Sequence, residues 1–183
     1  NILISEGDDG VVMIDDSMPP FLPKLKAAIG KALGKNASAH APDFLINTHM
    51  HSDHAGNNES FGAHSHIVGH KKLREYLKQH GMKTSQGSVP VNDTALPVIT
   101  YSTEMSFHLN GVEARLIHLP NAHTDGDSAV YFPELNVIHT GDVLFNRLYP
   151  FIDTSSGGSV KGYIAAQERL LALADKNTII IPG

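Results

Sequence analysis

A short segment near residue 50 combines three histidines with an aspartate. Positions 48–54 read Thr-His-Met-His-Ser-Asp-His and follow a short apolar run. In an extended segment residues i and i+2 point to the same side, so His49 and His51 can converge on one ion. Asp53 and His54, just past the turn, can face a second ion. Because histidine is the commonest ligand for zinc-like metals, the segment predicts a metal site.

The composition favours a site built from imidazoles and carboxylates. Histidine accounts for 12 of the 183 residues, well above what a core or an ordinary surface requires. The sequence contains no cysteine, which excludes a disulfide framework and thiolate ligands. The formal net charge of −5 argues against a broad phosphate-binding surface, so we expect a small-molecule substrate and no nucleic-acid partner.

Four segments, taken in order, resemble the motifs of the metallo-β-lactamase superfamily. The His-x-His-x-Asp-His pattern at 49–54 matches that family's signature residue for residue. Asp15-Asp16 resembles its first motif, Pro-Asn-Ala-His-Thr at 120–124 its third-histidine motif, and Thr-Gly-Asp at 140–142 its bridging-aspartate motif. The resemblance spans nearly the whole chain. It implies an α/β fold, an αββα sandwich of two mixed β-sheets flanked by helices, with metals at one edge between the sheets.

The resemblance also implies roles for individual residues. The implied zinc ligands are His49, His51 and His123 for a first ion and Asp53, His54 and Asp142 for a second ion. Asp142 would bridge the two ions, and Asp15 would hold the histidine loop from behind the ligands. Two ions about 3.5 to 4 Å apart can share a hydroxide that serves as the nucleophile. Asp53 is the candidate catalytic residue, orienting that water and relaying a proton to the leaving group. Ligand type alone leaves iron and manganese open as alternatives to zinc.

The ligand set narrows the expected reaction. The main class of true metallo-β-lactamases places a cysteine at the second zinc, whereas this motif offers Asp142 and resembles the hydroxyacylglutathione-hydrolase (glyoxalase II) type of site. We therefore expect hydrolysis of a small ester, thioester, lactone or β-lactam. A phosphodiesterase or nuclease of the same fold is disfavoured by the acidic charge. A di-iron flavoprotein-like oxidoreductase is disfavoured by His51, since that family has a carboxylate there.

The segment after Asp142 mixes aromatic and polar residues in a predicted loop. Its polar members Asn146, Arg147 and Tyr149 are candidate substrate contacts. The alternative is that the loop only anchors itself in the core through Phe145 and Phe151.

Hydrophobic periodicity and turn residues predict alternating strands and helices. The predicted strands are 2–5, 11–14, 44–48, 66–69, 104–109, 112–119, 129–132, 137–140 and 178–181. Asp9-Gly10 and Asn110-Gly111 are predicted hairpin turns. The predicted helices are 22–33, 71–80 and 160–174, the last with Val160, Ile164, Leu171 and Ala174 facing inward. Residues 83–97 are predicted to form a loop.

The other histidines are not predicted to be metal ligands. His118 lies on an apolar strand face and is expected to be a satisfied buried group, and His139 is expected to support the Asp142 turn. No role is assigned to His40, His64, His66, His70, His80 and His108.

The ends of the sequence also give expectations. The chain is interpreted as a single domain, 1–183, trimmed at both ends, and we expect a zinc-binding histidine to follow Pro182-Gly183.

No apolar run approaches the ~20 residues of a membrane-spanning helix. Both a cytoplasmic and a periplasmic or secreted location stay open, as does the oligomeric state.

Overall fold

The structure, a computed structural model, describes residues 1–34, 41–84 and 86–183. In these residues one five-stranded sheet runs in the order β1-β2-β3-β4-β7. Its strands are β1 (Leu3–Gly7), β2 (Gly10–Ile14), β3 (Phe44–Ile46), β4 (His66–His70) and β7 (Ile99–Tyr101). The β1-β2 pair is antiparallel and the other three pairs are parallel, so the sheet is mixed.

The second five-stranded sheet of the described residues runs in the order β12-β11-β10-β9-β8. Its strands are β8 (Glu104–Leu109), β9 (Val112–His118), β10 (Ser128–Phe132), β11 (Val137–Gly141) and β12 (Ile179–Pro182). It is antiparallel except for the parallel β11-β12 pair, so it is also mixed. A separate hairpin pairs β5 (Met82–Thr84) with β6 (Gly87–Val89).

Helices cover the outer faces of both sheets. Those on the outer faces are α1 (Leu22–Ala32), α3 (Asn58–Gly62), α4 (Lys71–His80) and α5 (Val160–Leu173), whereas the one-turn helix α2 (Ser52–Ala55) lies within the histidine segment. Short 3₁₀ helices lie at Pro19–Phe21, Asp93–Ala95 and Thr154–Ser156. Within the described residues, no helix is both long enough and apolar enough to cross a membrane.

Alternating side chains of the first sheet serve two different cores. The residues facing the second sheet include Ile14, Ile46 and Val68, which share a cluster with Leu116 and Val130. The residues facing α1 and α3 are their neighbours Met13, Leu45 and Ile67, which pack with Leu25, Ile29 and Phe61. The period of two in a strand puts consecutive residues on opposite faces. The expected αββα sandwich is therefore confirmed.

Helix α5 covers the second sheet, but with a different face from the one expected. Val160, Ile164 and Leu171 are 65%, 54% and 75% exposed, and Ala174 is partly buried. The buried residues of the helix are Tyr163, Ala166 and Leu170. The prediction of the inward face was therefore wrong for three of its four residues.

The start of α5 explains its rotation. Both the backbone N–H and the hydroxyl of Ser159 donate to the Asn121 carbonyl, at 2.9 and 3.0 Å. The same hydroxyl accepts from the N–H of Gly162, which is an N-cap bond. Because the helix is apolar on more than one side, this tertiary anchor selects the buried face, and periodicity alone cannot.

Two turn predictions had different outcomes. Asn110 and Gly111 join β8 to β9 with φ of 56° and 76°, the left-handed pair of a two-residue hairpin turn, as predicted. In the first hairpin Gly7 pairs with Gly10, so the turn residues are Asp8 and Asp9 and the Asp9-Gly10 prediction was wrong.

The prediction of a continuous loop over residues 83–97 was also wrong. The segment contains parts of the β5-β6 hairpin and the 3₁₀ helix Asp93–Ala95, and β7 follows it. The hairpin strands are three residues long and five of their six residues are exposed. Such strands produce no alternating hydrophobic pattern, so the sequence gives no periodic signal there.

The ends of several strands meet at one edge of the sandwich. Asp15 directly follows β2, the histidine segment follows β3, and Asp142 directly follows β11. The β9-β10 connection brings His123 to the same edge, since Ser128 N–H donates to the Thr48 carbonyl at 2.8 Å. Four separate segments thus supply the side chains of one site.

Candidate metal centre

Four side chains converge between the sheet edges, and we call them the first cluster: His49, His51, His123 and Asp142. Their candidate ligand atoms all lie within 4.8 Å of one another. Nδ1 of His51 lies 3.2 Å from Nε2 of His49 and 2.9 Å from Nε2 of His123. Oδ2 of Asp142 lies 3.5 Å from Nε2 of His123 and 3.9 Å from Nε2 of His49.

The second cluster consists of Asp53, His54 and Asp142. Nε2 of His54 lies 3.0 Å from Oδ1 of Asp142 and 3.4 Å from Oδ2 of Asp53. Asp142 therefore offers one carboxylate oxygen to each cluster, Oδ2 to the first and Oδ1 to the second. The structure brings all six residues of the implied ligand set together, with Asp142 in the shared position.

The spacing of the donor atoms fits a tetrahedral ion. Zinc bound at about 2.0 to 2.1 Å places neighbouring ligand atoms about 3.3 Å apart. The four donor separations given above for the first cluster, 2.9 to 3.9 Å, fall on both sides of this value. Unprotonated ring nitrogens repel each other at such distances, and a cation between them removes that repulsion.

The far nitrogen of each imidazole already has a hydrogen-bond acceptor. His51 Nε2 donates to Asp153 Oδ2 at 2.9 Å, and His54 Nδ1 donates to Asp15 Oδ2 at 2.7 Å. His123 Nδ1 donates to the Phe151 carbonyl at 2.7 Å. Since these acceptors require the proton on the far nitrogen, the neutral rings of His51 and His123 keep a lone pair on the nitrogen that faces the first cluster.

His49 is satisfied through a chain of hydrogen bonds. Its Nδ1 lies 3.1 Å from Oγ1 of Thr48, whose hydroxyl donates to Asp15 Oδ2 at 2.8 Å. The Thr48 N–H also donates to Asp15 Oδ1 at 2.8 Å. The fully buried Asp15 thus lies behind both His49 and His54, where the resemblance implied that it would hold the histidine loop.

The backbone around the centre is held in special conformations. Asp15 has a φ of 61°, a left-handed conformation that few non-glycine residues adopt, and its bonds to Thr48 and His54 hold it there. Gly141 has a φ of 51°, and a Cβ there would lie 2.8 Å from Oγ1 of Thr48. Glycine before Asp142 is therefore required both by φ and by space.

Before an ion binds, the environment already sets the protonation states that most ligands need. Burial lowers the pKa of His49 and of His123, so both imidazoles are neutral. Burial opposes ionisation of Asp142, but the hydrogen bond and charge of His54 outweigh it and lower the pKa of that carboxyl. Burial likewise opposes ionisation of Asp53, yet its bond to His54 lowers its pKa to about 2.

His54 is the exception among the ligands. Burial alone would lower the pKa of its imidazole, but the charge of Asp15 and hydrogen bonds to Asp142 and Asp15 raise it well above the usual value. A metal ion held by the second cluster would therefore have to displace a proton from His54.

Sequence reasoning missed Asp153, which lies at the N-terminus of the 3₁₀ helix Thr154–Ser156. Its buried carboxylate accepts from His51 at Oδ2 and from the Ser155 N–H at Oδ1, at 2.9 and 3.1 Å. Burial disfavours its charged form, but hydrogen bonds from Ser155, Ser156 and His51 hold its pKa below the usual value. No motif marks it, and it is 102 positions from His51.

The predicted substrate-contact residues lie on the loop after Asp142. Asn146, Arg147 and Tyr149 are exposed, and their contact with substrate stays a prediction. The rings of Phe145 and Phe151 lie 5.9 and 5.7 Å from the ring of His123, and Phe151 is 60% exposed. These aromatic residues therefore border the first cluster and do not anchor the loop deep in the core.

The remaining histidines lie outside the two clusters. His118 is buried, stacks on His70 at a ring separation of 3.5 Å and donates from Nε2 to the Asp125 carbonyl at 3.0 Å. It is a satisfied buried group, as predicted. His139 accepts from the Gly141 N–H at 3.3 Å and so supports the turn before Asp142.

Among the histidines without an assigned role, burial separates His70 from the others. It is buried, whereas the exposed ones are His64, His66, His80 and His108. His40 lies outside the described residues.

The Asp15-Asp16 pair provides a matched test of the support behind the ligands. Both residues are fully buried, but only the side chain of Asp15 bonds to a candidate ligand's imidazole, whereas Asp16 contacts His54 through its backbone N–H. Burial raises the pKa of Asp16 well above its usual value, and its carboxyl accepts from the Asn57 N–H, a bond that an amide oxygen can also accept. Asp16→Asn should therefore change metal affinity little. Asp15→Asn replaces an acceptor of His54 by an amide, and we expect a metal affinity about 10- to 100-fold weaker. Competition with a chromogenic chelator measures both variants, and equal affinities would contradict this role of Asp15.

The sequence matches a known family model and a curated relative. The model of the family described as the metallo-beta-lactamase superfamily matches residues 1–183. A curated relative, 2,4-dinitroanisole O-demethylase subunit alpha of Nocardioides sp. (strain JS1661), is 27% identical over 145 residues. The match covers 78% of this chain and 40% of the relative, so the chain spans about two fifths of that protein's length.

Solved structures share the architecture at low sequence identity. The metallo-beta-lactamase from Pontibacter korlensis has a TM-score of 0.76 and 19% identity, covering 98% of this chain and 76% of that one. The structure of TTHA1623 in a di-iron-bound form has a TM-score of 0.68 and 24% identity, and the match covers 100% of this chain and 86% of that one. At such identities the likeness shows a shared fold.

Proposed function

The chain belongs to the metallo-β-lactamase superfamily, and from this premise we propose that it is a zinc-dependent hydrolase of a small ester, thioester, lactone or β-lactam. The observation that supports this most is the position of Asp142, whose two oxygens face different clusters. A carboxylate shared in this way suits a pair of ions close enough to act on one substrate bond.

The donor atoms support zinc in the first cluster. Three imidazoles and a carboxylate are a set that zinc binds in tetrahedral sites. The second cluster has two carboxylates and one imidazole, a harder set that also suits iron or manganese. The di-iron form of TTHA1623 shares the fold, so iron is the alternative that experiment must test first.

When bound, a pair of such ions supplies a water that is deprotonated near neutral pH and positive charge for a developing oxyanion. The chain's own residues position the reactants. Asp53 is ionised, and its side chain is 45% exposed while those of His54 and Asp142 are 3% and 10% exposed. It can therefore contact both a water at the centre and an incoming substrate, accept a proton at its carboxylate and pass it to the leaving group.

Phe145 and Phe151 border the first cluster on the side of His123. They favour a substrate that has an apolar group next to the bond to be cleaved. A phosphodiesterase is the weaker candidate, because the net charge of −5 disfavours a polyanionic substrate. A flavoprotein-like oxidoreductase is weaker still, since His51 stands where that family has a carboxylate.

A substrate panel tests the proposal. The purified protein is assayed with an aryl ester, a lactone, a glutathione thioester, a chromogenic cephalosporin and a phosphodiester, and with 2,4-dinitroanisole because of the curated relative's name. We expect hydrolysis of at least one of the first four, loss of that activity to a chelator and its recovery when zinc is added back. Parallel additions of iron and manganese identify the preferred metal. Turnover of the phosphodiester alone, or of none of the compounds, would contradict the proposal.

A further inference from the structure

Asp153 links two ligands of the first cluster. Its Oδ2 accepts from His51 Nε2 at 2.9 Å, and its backbone N–H donates to the carbonyl of His123 at 2.8 Å. The residue is only 4% exposed. The connection therefore runs through the interior of the protein and not through a mobile surface side chain.

The carboxylate of Asp153 is itself fixed on both oxygens. The N–H and hydroxyl of Ser155 donate to Oδ1, and the hydroxyl of Ser156 donates to Oδ2 at 2.7 Å. Lys83 of the β5-β6 hairpin adds a weaker contact, with Nζ 3.4 Å from Oδ2. Because so many donors hold the carboxylate, it has one orientation. Its hydrogen bond to His51 then fixes the orientation of that ring.

We propose that Asp153 is a positioning residue for the metal centre, fixing the ring of His51 with Nε2 protonated and Nδ1 directed into the first cluster. The inference rests on the proposed function only in requiring that the first cluster binds a metal. His51 is the ligand that needs such support most, since its side chain is 15% exposed whereas those of His49 and His123 are fully buried. Burial and their own bonds, to Thr48 Oγ1 and to the Phe151 carbonyl, orient the other two rings.

Asparagine cannot replace Asp153 in this role. The Ser155 N–H at Oδ1 and the His51 N–H at Oδ2 both require an acceptor. An amide offers one oxygen and one NH₂ group, so in either orientation a donor faces a donor. Moving the proton of His51 to Nδ1 relieves the clash at Nε2, but that tautomer has no lone pair directed into the cluster.

The test measures binding of Zn²⁺ alone, by competition with a chromogenic chelator. Asp153→Asn should weaken the affinity about 10- to 100-fold. Asp175→Asn is the matched control, because Asp175 also accepts backbone and side-chain bonds in a turn, from Asn177 and Asn136, far from the centre. Its affinity for Zn²⁺ should equal that of the wild type. Lys83→Met, which removes an exposed contact, should change the affinity less than about fivefold.

A second comparison separates positioning from a general structural role. In a His51→Ala background, adding Asp153→Asn should leave Zn²⁺ affinity within about twofold of that of His51→Ala alone. Asp153 affects the affinity by orienting the His51 ring, and that ring is already absent. An unchanged affinity in Asp153→Asn, or a full additional loss in the His51→Ala background, would overturn the proposal.

A third measurement needs no Asp153 variant. ¹⁵N NMR of histidine-labelled protein, assigned with His51→Ala, should show His51 protonated on Nε2 before metal is added. Protonation on Nδ1 would overturn the proposal even if Asp153→Asn failed to fold. Because metal affinity and tautomer are read without turnover, a protein that bound Zn²⁺ but hydrolysed nothing would refute the proposed function and not this inference.

Discussion

Asp53→Asn should lower turnover by about 10²- to 10⁴-fold while the fold and the packing volume stay nearly unchanged. The carboxylate is the most exposed of the metal-facing groups and is ionised over the usual working range, since its bond to His54 lowers its pKa to about 2. An amide accepts no proton at neutral pH, so the water at the centre would lose its orienting base and the leaving group its proton donor.

Turnover and metal content must be measured on the same samples, because Asp53 also belongs to the second cluster. The expected result is a rate that stays low at saturating metal. Asp93→Asn is the matched control, since Asp93 is another exposed aspartate in the first turn of a short helix. Near-normal turnover of Asp53→Asn at saturating metal would contradict the role given to this carboxylate.

Asp142→Ala should release the second ion before the first, lowering the content from about two ions per chain to about one. Removing this side chain leaves three imidazoles in the first cluster, whereas among the described residues the second cluster keeps Asp53 and His54. Because Asp53 is 45% exposed, this remaining set should hold an ion more weakly than the three imidazoles do. Turnover should fall with the loss of the second ion.

Glu104→Gln controls for the loss of one negative charge, because Glu104 is an exposed residue paired with Arg169. Its metal content should match that of the wild type in the same elemental analysis. If Asp142→Ala retained two ions with unchanged affinity, Asp142 would not be the shared ligand.

The convergence of the six candidate ligands could be predicted because most of them are local in sequence. His49, His51, Asp53 and His54 lie within six positions, and the end of a strand followed by a helical turn is enough to bring them to one place. Asp142 and His123 could be predicted only through the family resemblance. Their approach to the histidine segment depends on the packing of two sheets, which periodicity does not specify.

Asp153 shows where such reasoning stops. Its role arises from the path of the chain after β11, which returns to His51 across 102 positions and is fixed by hydrogen bonds from Ser155 and Ser156. The buried face of α5 was missed for a related reason, because contacts of Ser159 with Asn121 set the rotation of the helix. In both cases a few tertiary hydrogen bonds decide the outcome, and they leave no periodic pattern in the sequence.

Elemental analysis of the full-length protein, combined with stepwise return of zinc to a chelated sample, tests the two-cluster centre most directly. We expect about two ions per chain at saturation, with hydrolysis of the best panel substrate rising mainly as the second ion binds. A saturated content of one ion or none, or full activity at one ion per chain, would contradict a centre in which Asp142 is shared between two metals.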